Sequence, residues 1–169
     1  WAPKPISGLL QLRKELKDRF ADGETVRWAT VGGNHSGCEL TLNALALASR
    51  EGGALEATLI TDREELIENE PLGARKAMLR TLEDAGCKVQ FGVQVTGVNS
   101  GAATTEDGER LPFDTLMLAT GLQPSDLVRS CELEYDSNGL LVNSCLHTRD
   151  DDRVFAAGDC ASIAGLNLP

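Results

Sequence analysis

A glycine-rich turn between an apolar run and a helical run is the most chemically informative pattern in this chain. Residues 25–40 read TVRWATVGGNHSGCEL, and the slots of the template G-x-G-x-x-G fall on Gly32, Asn34 and Gly37. In that template the first glycine permits a tight turn, and the third lets the helix pack closely on the strand. The second lets the backbone approach a pyrophosphate. The pattern predicts a phosphate-binding loop whose most ligand-proximal position carries Asn34.

An acid and a base follow the next apolar run. Asp62 lies 25 residues after Gly37 (62 − 37), at the end of a predicted strand over 55–61, and Arg63 comes directly after it. A carboxylate at this point would bind the adenosine ribose hydroxyls of NAD, whereas an arginine would accept the 2′-phosphate of NADP. A solvated charge pair at a strand end explains the two residues equally well. The sequence leaves these alternatives open.

The elements that must position these residues follow from hydrophobic spacing and turn signals. We predict helices over 9–20, with Ser7 as N-cap, over 36–50, and from Pro71 to Gly86. We predict strands over 26–31, 55–61, 88–91, 93–99, 102–105, 109–113, 115–119, 140–142 and 154–157. The β-α-β-α-β order, the short alternating pieces and the Asp107-Gly108 turn predict an α/β fold. It is a Rossmann-like parallel sheet with a three-stranded antiparallel β-meander.

Length and charge restrict the function classes. The 169 residues suffice for one domain, or for one domain and a fragment of another. A net charge of −10 argues against nucleic acid and against anionic membrane surfaces. No apolar run approaches the length of a membrane span, so we expect no span in this chain. The first residue is Trp1 rather than methionine, from which we expect a piece of a longer chain, and we expect that chain to be cytoplasmic.

The cysteines and histidines give weaker signals. The cysteines are odd in number and show neither C-x-x-C nor zinc spacing, so we expect reduced thiols. Cys38 lies at a helix start, where the helix dipole can lower the pKa of a thiol, but packing against the sheet is the favoured interpretation. His35 lies within the glycine-rich turn, where we favour a solvent-exposed side chain over a phosphate donor.

Two further segments make a family resemblance specific. Residues 114–124 read DTLMLATGLQP and residues 153–161 read RVFAAGDCA. Together with VGGNHSGCE at 31–39, they resemble the pyridine-nucleotide and FAD-dependent oxidoreductases of the disulfide-reductase type. The similarity is greater to their NADH dehydrogenase-like branch, which includes the flavin domain attached to selenide, water dikinases. The resemblance covers nearly the whole chain, with its motifs in the family's order.

The resemblance implies a domain division and a set of site residues. Residues 1–121 would be the NAD(P)-binding domain, and 122–169 the returning segment of an FAD domain. The implied pyrophosphate loop comprises Gly32, Gly33, Asn34 and Gly37, and Glu39 would lie near the nicotinamide. The implied turn that borders the cofactor comprises Ala119, Thr120 and Gly121. The implied flavin contact comprises Gly158 and Asp159, and the Asp159 carboxylate would hold the ribityl chain of FAD.

The implied function is hydride transfer from NAD(P)H to FAD and on to a small acceptor such as a quinone. The partner would be the FAD domain of the same parent chain. A homodimer and a parent protein peripheral to the membrane are also compatible with the resemblance. The flavin domain's own glycine motif is absent from the sequence, so we expect no FAD binding and no turnover by this chain alone. One alternative is a module that lost nucleotide binding through Asn34 and now serves packing or partner docking. Another is a methyltransferase that uses S-adenosylmethionine, against which the ATG and AAGD segments argue.

Overall fold

A four-stranded parallel sheet organises the first part of the chain. The computed structural model describes residues 1–121 and 126–163, and the chain divides into two units between Thr120 and Gly121. The elements of the first unit are α1 (Ile6–Ala21), β1 (Thr25–Val31), α2 (His35–Glu51), β2 (Ala54–Ile60), α3 (Leu72–Asp84), β3 (Lys88–Gln90), β4 (Val95–Asn99), β5 (Ala102–Thr105), β6 (Arg110–Pro112) and β7 (Thr115–Leu118). The parallel strands lie in the order β3-β2-β1-β7, and β4, β5 and β6 form an antiparallel meander. The predicted fold class is confirmed.

Helices α1 and α2 cover one face of the sheet because their apolar residues recur at helical spacing. Leu12, Leu16 and Phe20 of α1 are buried, as their spacing predicts. On the sheet, Val26 and Trp28 of β1 join the same apolar core. The predicted N-cap at Ser7 is wrong, since α1 begins at Ile6 with Pro5 in the N-cap position and Ser7 lies inside the first turn. A proline that presets the entry angle explains the earlier start.

The meander is associated with the opposite face of the sheet. Ala29 and Val31 alternate with the helix-facing residues of β1, and with Ile60 and Leu116 they form a second buried cluster. Partly buried side chains before and within the meander pack against this cluster: Val93, Val95, Leu111 and Phe113. The Asp107-Gly108 turn is formed as predicted, with Gly108 at a φ of 87°. The parallel sheet is therefore covered on both faces near its carboxyl edge.

An ion pair joins β1 to the start of β7. The Arg27 guanidinium donates to the Asp114 carboxylate from Nε at 3.0 Å and from Nη2 at 2.6 Å, and the Arg27 amide donates at 2.8 Å. The Asp114 amide in turn donates to the Arg27 carbonyl at 2.9 Å. These donors to the ionised carboxylate, foremost the Arg27 side chain, lower the pKa of Asp114 to about 2. The pair fixes the register of β7 beside β1.

The second unit has a small apolar core of its own. Its elements are α4 (Asp126–Ser130), β8 (Leu140–Val142), β9 (Ala161–Ile163) and a 3₁₀ turn at Gly158–Cys160, with β8 and β9 parallel. The strand predicted over 154–157 is wrong: Phe155 is 61% exposed and forms only an isolated bridge with His147. β8 pairs instead with β9, which begins seven residues after Val154 (161 − 154), and Ala161 of β9 joins Leu140 and Val142 of β8 in one buried cluster. The predicted strand over 140–142 is confirmed.

Parts of the sequence motifs lie outside the described residues. These are residues 122–124 of the DTLMLATGLQP segment and residues 164–169 of the predicted returning segment. Among the residues that the structure describes, no helix is long and apolar enough to cross a membrane. The same residues contain no cluster of His, Cys, Asp and Glu that would hold a metal ion.

Candidate functional site

Three strands end at the same edge of the sheet and bring the predicted site segments together. In the pairing register Val31 of β1 lies opposite Ile60 of β2 and Leu118 of β7. The next residues continue the ladder, since the Gly32 amide donates to the Ile60 carbonyl and the Ala119 amide to the Val31 carbonyl, both at 2.8 Å. In open α/β sheets ligands bind in the crevice beyond the carboxyl ends of the strands.

Two of the predicted loop glycines are required by close backbone packing. Gly32 has a φ of 118°, and a β-carbon on it would lie 2.2 Å from the carbonyl oxygen of Ala119. A β-carbon on Gly37 would lie 2.0 Å from the carbonyl oxygen of Gly32. Neither position accepts a larger residue without movement of backbone atoms. The tight turn and the close helix–strand approach that the glycine pattern predicts are therefore both present.

The Asn34 side chain is bonded within the loop. Its Oδ1 accepts from the Gly37 amide at 3.0 Å as the N-cap of α2, and its Nδ2 donates to the Ala119 carbonyl at 2.7 Å. Asn34 has a φ of −81°, an ordinary extended conformation. Asn34 thus ties the glycine loop to the turn after β7. Both of its polar side-chain atoms are engaged by the protein rather than directed away from the loop.

The first turn of α2 supplies groups that suit an anion. Asn34 caps the helix by accepting from the Gly37 amide. Within the described part of the chain, the amides of His35 and Ser36 have no acceptor. Amides at a helix start, together with the helix dipole, favour bound phosphate. The His35 side chain is exposed, as favoured from the sequence, and its Nε2 lies 3.2 Å from the Glu70 carboxylate.

A cavity of about 330 Å³ opens at this edge of the sheet. This volume is at the lower end of the range for small-molecule sites. The cavity is lined by Val31, Gly32, Gly33, Asn34, His35, Thr61, Asp62, Arg63, Glu65, Ile67, Glu68, Asn69, Val93, Gln94, Val95, Ala119 and Thr120. The structure therefore gathers the loop residues, the acid after β2 and the turn after β7 around one space.

The wall after β2 is built from charged side chains. The Arg63 guanidinium lies 3.5 Å from the Asp62 carboxylate and 3.2 Å from the Glu68 carboxylate. Glu65 is paired with Arg75 from α3. The acid and base that the sequence left as alternatives are therefore part of one exposed network, in which two carboxylates surround a single guanidinium.

Ile67 connects this wall to the glycine loop. Its amide donates to the Gly33 carbonyl at 2.8 Å, its side chain is buried, and its φ of 43° is in the left-handed region. A β-branched residue rarely adopts this conformation, so the surrounding contacts must enforce it. Sequence reasoning missed both Ile67 and Glu68. No local pattern marks them, because isoleucine gives no signal for a left-handed turn.

The remaining predicted site residues lie outside the cavity lining. Gly37 is buried beneath the loop, and Glu39 is exposed on α2 and is not among the lining residues. Gly121, Gly158 and Asp159 belong to the second unit, where Gly158 has a φ of 65° and begins the 3₁₀ turn. The roles given to Glu39, Gly158 and Asp159 from the resemblance stay predictions.

The packing interpretation of Cys38 is confirmed. Cys38 is fully buried, and burial raises the pKa of its thiol to about 12. Burial likewise raises the pKa of the nearby Cys87 thiol to about 11. Both thiols are protonated at neutral pH and are therefore poor nucleophiles. All five cysteines are free of disulfide bonds.

Comparison with protein families gives a match over nearly the whole chain. The family model of the pyridine nucleotide-disulphide oxidoreductases matches residues 6–167. The rubredoxin-NAD(+) reductase of Acinetobacter baylyi is 34% identical over 180 residues, which cover 97% of this chain and 42% of that protein. The type II NADH:quinone oxidoreductase of Haemophilus influenzae is 29% identical over 165 residues, which cover 91% of this chain and 37% of that protein.

Solved structures share the fold. Putidaredoxin reductase in its covalent complex with putidaredoxin superimposes with a TM-score of 0.72 at 23% identity, covering 96% of this chain and 38% of that one. The crystal structure of Fdr9 superimposes with a TM-score of 0.74 at 19% identity over the same shares. This chain spans about two fifths of the length of the relatives that it matches.

Proposed function

The chain belongs to the pyridine nucleotide-disulphide oxidoreductase family, and we propose that its first unit holds the nicotinamide nucleotide of an NAD(P)H-dependent flavoprotein oxidoreductase. The family and its NADH- and NAD(+)-named members imply NAD(P)H, and FAD in the larger protein, as the cofactors. A methyltransferase does not belong to this family, so we set that alternative aside.

The observation that carries the proposal is the cavity at the carboxyl edge of β1, β2 and β7. Gly32 permits the backbone turn, the amides of His35 and Ser36 suit a pyrophosphate, and Asp62 suits the hydroxyls of an adenosine ribose. The residues present therefore fit a dinucleotide. In this assignment Thr120, on the opposite side of the loop, borders the part of the nucleotide that reacts.

The chemistry belongs to the cofactors, and the protein contributes binding and orientation. A bound nicotinamide dinucleotide supplies a hydride. In the proposed parent protein the hydride would go to FAD, and the electrons would go on to a small acceptor such as a quinone. The FAD domain of the same parent chain would be the partner, with Gly158 and Asp159 as its contribution from this segment. A parent peripheral to the membrane and a homodimer are parts of the same proposal.

Calorimetric titration of the purified chain with NADH and NADPH tests the nucleotide-holding role. We expect sub-millimolar binding of at least one nucleotide. Asp62→Asn should weaken that binding by about tenfold, since it removes charge-assisted hydrogen bonds to the ribose. Glu64→Gln is the matched control, because Glu64 is exposed in the same loop and does not line the cavity. Absence of binding at millimolar concentrations of both nucleotides would overturn the proposal.

One observation favours the second candidate, a degenerate module that serves packing or docking. The Asn34 side chain takes the Gly37 amide, which removes one donor from the start of α2. If this loss abolishes binding, the wild-type chain should bind neither nucleotide and Asn34→Gly should restore binding. If the wild-type chain binds, Asn34→Gly should change the affinity only by the small amount that one donor contributes.

A further inference from the structure

The arginine of the cavity is already engaged by carboxylates. Among the described residues that line the cavity, Arg63 is the one arginine or lysine. Its Nη1 lies 3.2 Å from Glu68 Oε1, and its Nε lies 3.5 Å from Asp62 Oδ1. An arginine in this position is the group that would receive a 2′-phosphate. In this chain its donors face carboxylates instead.

The charge of the wall is negative even after pairing. Glu65 is neutralised by Arg75, which leaves Asp62 and Glu68 against Arg63. The three side chains together carry a net charge of about −1 at neutral pH. A 2′-phosphate bound here would meet two carboxylates and would have to compete with both of them for one guanidinium.

Backbone contacts fix both ends of the Arg63–Glu68 pair. The Arg63 amide donates to Thr61 Oγ1 at 3.2 Å, and its carbonyl accepts from the Gly92 amide at 3.1 Å. Glu68 directly follows Ile67, whose amide is bonded to Gly33 in the glycine loop. The pair is therefore held at a defined place beside Asp62, although its side chains are exposed.

We propose that Glu68 determines the coenzyme selectivity of this site: by holding Arg63 it favours NADH over NADPH. The inference rests on the nucleotide-binding function proposed above and adds a residue and a direction to it. Asp62 offers acceptors to the 2′ and 3′ hydroxyls of the adenosine ribose. NADH has both hydroxyls, whereas NADPH carries a phosphate at the 2′ position. Glu68 repels the 2′-phosphate and occupies the one cation that would bind it. Selectivity thus has an attractive and a repulsive component.

The test measures dissociation constants of NADH and NADPH for the wild-type chain, Glu68→Gln and Glu64→Gln. We expect the wild-type chain to bind NADH about tenfold more tightly than NADPH, since like charges in contact are strongly unfavourable. Glu68→Gln should raise the NADPH affinity roughly threefold to fivefold, in line with an exposed ion pair, and leave the NADH affinity within about twofold. Glu64→Gln removes one charge from the same loop without a partner among the described residues, so it reports the general charge effect.

A double variant separates the release of Arg63 from simple removal of charge. Arg63→Gln combined with Glu68→Gln should lose the gain in NADPH affinity, because the released guanidinium is what receives the phosphate. Equal NADPH responses in Glu68→Gln and Glu64→Gln would overturn this inference, as would tighter wild-type binding of NADPH than of NADH. Binding of neither nucleotide to the wild-type chain would overturn the proposed function, and this inference with it.

Discussion

The two walls of the cavity are built in different ways. The glycine-loop wall consists of backbone packed so closely that β-carbons on Gly32 and Gly37 would overlap carbonyl oxygens at 2.2 and 2.0 Å. The wall after β2 consists of exposed charged side chains that contact one another rather than the core. Substitutions at Gly32 and Gly37 must move backbone atoms, whereas the charged side chains of the second wall can be replaced without such movement. In the proposed function the first wall supplies the amides for the pyrophosphate, and the second wall supplies the side chains that would distinguish the two nucleotides.

Asn34 joins the glycine loop to the turn after β7, and we call this place the junction. Its position in the sequence pattern is the one nearest to the ligand, yet its side chain serves the scaffold by joining α2 to Ala119. The residue that departs from the binding motif is here part of the packing of the loop. The comparison of the two walls therefore predicts where substitutions affect stability and where they affect ligand choice.

The largest expected effect is on stability, in the glycine-loop wall. Gly37→Ala should lower the free energy of unfolding by about 3 kcal/mol, because the new methyl group displaces the backbone of Gly32. Urea unfolding followed by tryptophan fluorescence measures this in the first unit, where both Trp1 and Trp28 lie. Gly73→Ala in α3 is the matched control: its β-carbon has no atom within 4 Å, so the change should be stabilising by about 0.5 kcal/mol. Equal effects of the two substitutions would refute the packing argument.

A smaller effect is expected at the junction. Asn34→Ala removes the N-cap acceptor and the bond to Ala119, and should destabilise the first unit by about 1 to 2 kcal/mol. Asn34→Asp retains the acceptor for the Gly37 amide but loses the donor to Ala119. Its unfolding free energy should therefore lie between those of the wild-type chain and Asn34→Ala. The same unfolding experiment ranks the three proteins. An alanine variant as stable as the wild-type chain would show that Asn34 does not hold the loop.

The glycine-loop wall could be predicted from the sequence because its signals are local. The apolar strand, the glycines and the helical run are adjacent in the chain, and each restricts the backbone by itself. The strand edges follow from the same patterns, and β1, β2 and β7 begin and end within one residue of their predicted bounds. The parallel order then follows from the connections between them.

The charged wall could not be predicted, because it depends on contacts between residues that share no local pattern. The sequence marked Asp62 and Arg63 as site candidates but left their roles open. The proposed roles depend on Glu68, which pairs with Arg63 and directly follows the left-handed residue Ile67. The false strand over 154–157 has a similar cause. A short apolar run forms a buried strand only where other elements pack against it, and Phe155 within residues 154–157 is exposed.

The Arg27–Asp114 pair tests whether charge at this sheet can contribute to stability when the backbone supports it. Asp114→Asn should lower the free energy of unfolding by about 1 kcal/mol at neutral pH, after allowance for solvent screening. The pKa of Asp114 is about 2 in the folded chain and about 4 when unfolded, so this contribution is complete above about pH 4. It is lost as the pH falls through the folded value, and the difference between wild type and variant should vanish near pH 2. A difference that is constant with pH would contradict an ionic origin.

The smallest expected effect is the absence of a stability change in the charged wall. Glu68→Gln should alter the free energy of unfolding by less than about 0.5 kcal/mol, because its pair with Arg63 is exposed to solvent on both sides. The measurement is the same urea unfolding experiment, with Glu64→Gln as the control for loss of one surface charge. A destabilisation of 1 kcal/mol or more would mean that Glu68 maintains the loop itself, and a change in nucleotide choice would then be a secondary result of loop movement. A gain in NADPH affinity larger than that of Glu64→Gln, with unchanged stability, is the combination expected of a selectivity residue.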